Sequence, residues 1–262
     1  PDITVSFCSP EAARVSYGLG IQHICFSDSP HATAVMKLVI PLVQKLLIPW
    51  IIPKKEFTKF GVNAKDIIHY RAIDAAVITK RKISKNSKKP AKKVKRKIIL
   101  VRVEEEQASY SSKKRPAFPI IKEIIKNFHN EEIVVMGRYS SQVKHLAQTF
   151  GNKIKILDKV VDGKTLLNNV DVFIGSGGTM TAESALLGVP TISYNAIPNI
   201  IETYLVRKKL VLRKTSPKQI TVSIRKLLDS PNLEIKNRAK KMLDSMEDPF
   251  PILVKTMKSI LK

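Results

Sequence analysis

Acidic residues, cysteine, tryptophan and long apolar runs are all scarce in this chain, and each shortage rules something out. No apolar run approaches the roughly 18 residues of a membrane-spanning helix. The longest apolar patch, 39–53, is interrupted by Pro41, Gln44, Lys45, Pro49 and Pro53. No signal-peptide pattern opens the sequence. The two cysteines, Cys8 and Cys25, lie in apolar, strand-like segments and read as buried thiols of a reducing cytoplasm, not as a disulfide or a metal pair. The five histidines follow no ligand spacing, which leaves a metal centre without support. The dinucleotide loop G-x-G-x-x-G and the Walker loop ending in Gly-Lys-Ser/Thr are both missing.

The shortage of acids leaves 22 Asp and Glu against 46 Lys and Arg, a formal charge of +24. The excess is densest from Lys80 to Lys97, where 11 of 18 residues are basic and none is acidic. Such a stretch cannot bury a core and is expected to be a solvated linker. It could hold nucleic acid or an anionic membrane surface through counterion release. The alternative is a surface that has drifted to lysine throughout. The charge also spreads over helical segments such as 236–241 with few aromatics beside it, and no stacking platform for bases is visible. That spread favours the second reading. The expected location is therefore cytoplasmic, with peripheral contact to the inner face of the membrane as the remaining option.

The most informative stretch is Gly175-Ser-Gly-Gly-Thr-Met-Thr-Ala-Glu-Ser-Ala-Leu-Leu-Gly-Val-Pro190. It follows a strand-like run at 170–174, opens an apolar-periodic helix and precedes a second strand at 191–194, which makes a βαβ unit. A glycine-rich turn before a helix presents backbone N–H groups at the positive end of the helix dipole, where a phosphate or pyrophosphate binds. Ser176, Gly177, Gly178 and Thr179 are the candidate diphosphate residues. Glu183 can reach a sugar hydroxyl beyond them; its alternative role is a helix-surface carboxylate paired with a lysine.

Strands are expected at 2–7, 21–26, 48–52, 98–103, 133–136 and 153–156, and helices at 10–19, 32–47, 118–128, 141–150 and 163–168. Further helices are expected at 203–208, 216–229, 233–246 and 251–261. Alternating strands and helices define an α/β protein with parallel sheets. The basic stretch divides it into a domain over 1–79, a linker over 80–97 and a domain over 98–262, whose last helix can cross back. The sequence starts at Pro1, without Met and already inside a strand, which predicts an incomplete N-terminal domain.

In open α/β sheets, ligands gather beyond the carboxyl ends of the strands. Arg102 and Arg138 follow strands there and can clamp phosphate, or pair with a local acid such as Glu104. Asp28 and His31 follow the strand at 21–26, where Asp28 can orient His31 as a general base for an acceptor hydroxyl. The competing reading makes Asp28 or Ser29 a helix N-cap.

The spacing of Ser176-Gly177, Glu183 and Gly188-x-Pro190 resembles the donor-site motif of GT-B glycosyltransferases, in particular the bacterial N-acetylglucosaminyltransferase that makes lipid II. UDP-N-acetylglucosamine 2-epimerases carry a relative of it that is one residue shorter. More of the chain resembles domain of unknown function 354, a largely archaeal family near those enzymes. The resemblance rests on 27–34, Gly61-Val62, Tyr70 to Asp74, Val101-Arg102, Ala108 to Tyr110 and 175–190; Ala72 stands where that family usually has Gly. It implies two Rossmann-like domains, with a nucleotide sugar, of UDP type, as substrate and no cofactor. The Ser176–Gly177 turn would hold the phosphates and Glu183 the ribose. The expected reaction is metal-independent glycosyl transfer, with 2-epimerisation and non-enzymatic polyanion binding as alternatives. Neither an acceptor nor an oligomeric state follows from it.

Overall fold

The structure is a computed structural model, and it describes residues 1–82, 96–111, 116–157 and 161–261. Most of the expected linker, 83–95, lies outside the described residues. In chain order the first elements are β1 (Ile3–Phe7), α1 (Pro10–Gly18), β2 (Gln22–Phe26), α2 (Thr33–Val39), β3 (Lys45–Pro49), α3 (Lys55–Thr58), β4 (Ile67–Tyr70) and α4 (Asp74–Lys80). Next come β5 (Ile98–Arg102), α5 (Ala117–Asn127), β6 (Glu132–Met136), α6 (Ser140–Phe150), β7 (Lys155–Leu157), α7 (Gly163–Leu167), β8 (Val172–Gly175) and α8 (Thr179–Leu186). The chain continues through β9 (Thr191–Ser193), α9 (Ile200–Arg207), β10 (Leu212–Arg213), α10 (Pro217–Asp229), α11 (Leu233–Asp244) and α12 (Phe250–Ile260).

Two compact units result. One comprises Pro1–Val77, Asn199–Ile201 and Ser245–Lys262, so α12 groups with the first strands; the other comprises Ile78–Pro198 and Glu202–Asp244. The first unit holds a sheet ordered β1-β2-β3-β4 and the second a sheet ordered β10-β9-β8-β5-β6-β7. Every strand pairing is parallel. The fold is α/β with two Rossmann-like parallel sheets.

In the second unit the sheet is covered on both faces, and the alternation of β5 decides which residue goes where. Ile99 and Val101 pack with Ile120, Ile124, Val135 and Ile224 on one side. Leu100 packs with Val134, Leu167, Phe173 and Val189 on the other. A strand buried on both faces reads as a continuous apolar run, which explains the main error in the first unit. The expected helix at 32–47 is α2 followed by a short 3-10 turn at Ile40–Leu42, and 45–49 is β3. Pro41 cannot donate to a helical hydrogen bond and its ring crowds the preceding turn. Lys45 to Pro49 then pair with β2 on one side and β4 on the other. Their apolar run is that of a central strand, and the strand expected at 48–52 is this one displaced. Neither β4 nor β10 was expected; β10 is two residues long, too short to leave a periodic signal.

Candidate functional site

The turn after β8 joins the strand to α8 through Gly177 and Gly178. Gly177 adopts φ 100, a region natural to glycine alone. Its amide donates to Thr181 Oγ1 at 3.2 Å, while Thr181 N donates to the Gly178 carbonyl at 3.0 Å. Gly178 is the N-cap of α8 and no side chain caps it. The first-turn amides of Thr179 and Met180 have no acceptor within the helix. Ser176 is buried and interacts with the Tyr194 hydroxyl. Gly177 also has a packing cause of its own: a Cβ there would lie 3.4 Å from both Glu202 Cγ and Ser193 Oγ.

Arg138 reaches this turn from the end of β6. Its Nη2 is 4.0 Å from where a Cβ on Gly178 would stand. Its Nη1 lies 3.6 Å from Glu105 Oε2, and its amide donates to Gln142 Oε1 at 2.8 Å. Arg102 stands differently. Its Nη1 donates to the Gly137 carbonyl at 2.6 Å, fixing the residue before Arg138. Burial, reinforced by the positive charge of Arg138, pushes the Arg102 pKa down to about 10. Arg138 thus pairs with a local acid, as the alternative reading expected, though the acid is Glu105 and not Glu104: the buried Glu104 carboxylate accepts from the Ala117 amide at 3.2 Å and the Tyr194 hydroxyl at 3.0 Å, and its Oε1 has no hydrogen-bond partner. Burial raises its pKa.

Glu183 is the fifth residue of α8. Its Oε2 lies 3.5 Å from where a Cβ on Gly163, the first residue of α7, would stand. Burial raises its pKa, Arg81 opposes the rise and Asp162 adds to it. Asp162 caps α7 through the Thr165 amide, 2.8 Å, and takes the guanidinium of Arg81. Glu183 is therefore not the exposed, lysine-paired carboxylate of the alternative reading. The sequence reading did not single out Asn195. It follows β9, has φ 51, and carries a buried Oδ1 with no hydrogen-bond partner; its position after a strand was the available signal.

In the first unit, Asp28 accepts from Ser29 Oγ at 2.6 Å. The N-cap of α2 is Ala32, with no side-chain cap, so neither Asp28 nor Ser29 plays the capping role. Burial lowers the pKa of His31, opposed by Asp28. The structure adds a pair that the sequence did not single out as a site: the buried Tyr70 hydroxyl donates to Asp74 Oδ1. Burial, then repulsion from Asp28, raise the Asp74 pKa to about 7, against the stabilising Tyr70 hydrogen bond. Among the described residues, no group of three or more His, Cys, Asp or Glu side chains is placed to hold a metal ion. No helix among the described residues is long and apolar enough to cross a membrane.

Two parallel Rossmann-like sheets give the GT-B class of fold. The solved structures agree. The UDP-GlcNAc 2-epimerase of Neisseria meningitidis, bound to UDP-GlcNAc, superposes with TM-score 0.73 at 15% identity, over 99% of this chain and 76% of that one. A spinosyn rhamnosyltransferase complexed with thymidine diphosphate gives TM-score 0.60 at 14% identity, over 98% and 73%. The chain itself belongs to the family described as protein of unknown function (DUF354), whose model matches residues 1–262. An uncharacterized protein of Methanocaldococcus jannaschii is 26% identical over 280 residues, covering 100% of this chain and 75% of that protein.

Proposed function

We propose that this chain binds a nucleoside diphosphate sugar, of UDP type, and transfers its sugar without a metal ion. The observation that carries the reading is the guanidinium of Arg138 beside Gly178, at the open end of α8. A diphosphate seated there would meet the amides of Thr179 and Met180, the helix dipole and a cation held in place by Glu105 and Arg102. The same groups stabilise the charge that grows on a departing diphosphate. Glu183 would accept from the ribose hydroxyls, with Gly163 leaving room for them. In the first unit, burial lowers the pKa of His31 and favours the neutral form a general base needs, while Asp28, three residues earlier, opposes that shift.

Epimerisation at C2 also passes through loss of the diphosphate, so it is the second enzymatic reading; the Ser-to-Glu spacing favours transfer. The test is calorimetry of UDP, UDP-N-acetylglucosamine, GDP and TDP with metal chelated. Micromolar binding of a uridine ligand, lost in Arg138→Ala, supports the proposal. No binding by any of the four overturns it. Polyanion binding remains a separate reading because of a cavity of about 1370 Å³ at the amino ends of β6 and β7. Arg96, Lys122, Lys126, Lys153, Lys155 and Lys218 line it together with Glu123, Glu131 and Glu132.

A further inference from the structure

We propose that Cys8 and Cys25 are a redox pair that closes to an intramolecular disulfide when the chain meets a hydroperoxide. The two Sγ atoms lie 3.3 Å apart on neighbouring parallel strands: Cys25 is within β2, and Cys8 is the residue after β1. A disulfide needs about 2.05 Å between sulfurs, so the pair has to approach by only about 1.3 Å, a shift small enough for side-chain rotation and slight strand movement.

The two thiols are not equivalent. Cys8 is half-buried, while Cys25 is fully buried at 0% exposure. That is the division found in dithiols that react in sequence, one accessible attacking sulfur and one sheltered resolving sulfur. The backbone of Cys8 has φ 48, the left-handed region that a non-glycine residue enters at a cost and holds only where its surroundings impose it. In that conformation its sulfur meets Cys25. The hydrogen bond between the two thiols lowers the Cys8 pKa, burial opposes, the Ser27 hydroxyl adds to the lowering, and the Asp28 and Asp74 carboxylates raise it. Cys25 itself is pushed well up, by its bond to Cys8 and by burial, so it stays protonated until it is needed.

The chemistry balances. The Cys8 thiolate attacks one peroxide oxygen, the O–O bond breaks, and Cys8 becomes a sulfenic acid as the other oxygen leaves as hydroxide and takes a proton. The Cys25 sulfur then attacks the Cys8 sulfur. The S–S bond forms, the S–O bond breaks, and the departing hydroxide takes the Cys25 proton to leave as water. Two thiols and one hydrogen peroxide give one disulfide and two waters.

The experiment uses the folded full chain and a small excess of hydrogen peroxide, followed by thiol counting in denaturant and intact mass. The two free thiols should both disappear, the mass should fall by about 2 Da, and the chain should stay monomeric on a non-reducing gel, with dithiothreitol restoring both thiols. In Cys25→Ser, checked for folding by circular dichroism, Cys8 should instead be trapped as a dimedone adduct. Two thiols surviving the treatment, a disulfide between chains, or over-oxidation of Cys8 with Cys25 untouched would each overturn the proposal. None of these outcomes bears on nucleotide binding, which involves residues of the other unit.

Discussion

Glutamine at position 183 separates a binding role from a structural one. The Glu183 carboxylate is half-buried, and its raised pKa shows that burial outweighs the attraction of Arg81. Arg81 already has Asp162 as its partner, so removing the Glu183 charge strands no buried cation. Glu183→Gln should therefore leave stability unchanged or slightly improved, with Tm moving by no more than about 3 °C in a chain of this size. Ligand binding should respond quite differently. A hydrogen bond from a ribose hydroxyl to a carboxylate is worth about 1.5–3 kcal/mol, and each 1.4 kcal/mol is about tenfold in affinity. The expected loss for UDP is about 10- to 100-fold, read by calorimetry, with uridine-free pyrophosphate unaffected. If Glu183 instead served the fold, Gln would lower Tm and leave UDP affinity within twofold. That outcome would refute the assignment.

Other substitutions test neighbouring parts of the account. Gly163→Ala places a methyl 3.5 Å from Glu183 Oε2, an ordinary contact, so urea melts should show an unchanged or slightly higher midpoint while UDP affinity falls. Gly188→Ala should do the opposite: at φ 73, with a new Cβ 2.9 Å from Lys236 Cα, it should cost about 2 kcal/mol or more in urea melts. Asp74 titrates at about 7 in the fold against about 3.9 unfolded. The folded chain thus keeps an extra proton between those values, and this residue makes stability rise as pH falls from 7 toward 4, by up to about 1.4 kcal/mol per pH unit. Asp74→Asn should lose that slope between pH 5 and 7, and equal slopes in the two proteins would contradict the assignment. For the polyanion reading, RNA affinity should fall steeply with salt and drop when 83–95 is deleted. Affinity unchanged by the deletion would remove that stretch as the contact.

Much of the second unit was legible because its signals are local. The strand, glycine turn and helix at 172–186 announce themselves by apolar run, Gly177-Gly178 and apolar spacing. Arg138 was singled out by its place after a strand, and Glu183 by its spacing from Ser176-Gly177. What sequence could not supply was pairing. The tertiary contacts of Arg102 with the Gly137 carbonyl, or of Glu183 with the start of α7, join residues 35 or 20 positions apart with no shared motif. The first unit was harder because Leu46 to Pro49 are apolar in succession and a buried parallel strand then looks like a helix segment. Asp74 and Tyr70 were visible as a motif, but their chemistry arises from burial and from the approach of Asp28. The adjacency of Cys8 and Cys25 required knowing that β1 and β2 are neighbours and that Cys8, just past β1, takes a left-handed backbone.

The central claim is that the turn at Ser176–Thr179 holds a diphosphate, and phosphorus NMR of UDP titrated with the protein tests it most directly. The account predicts that both phosphate resonances shift or broaden with the wild-type chain and stay sharp with Arg138→Ala, in the absence of metal. Resonances unmoved by the wild-type protein, at concentrations that would saturate a micromolar site, would contradict it and leave the glycine turn as a feature of packing alone.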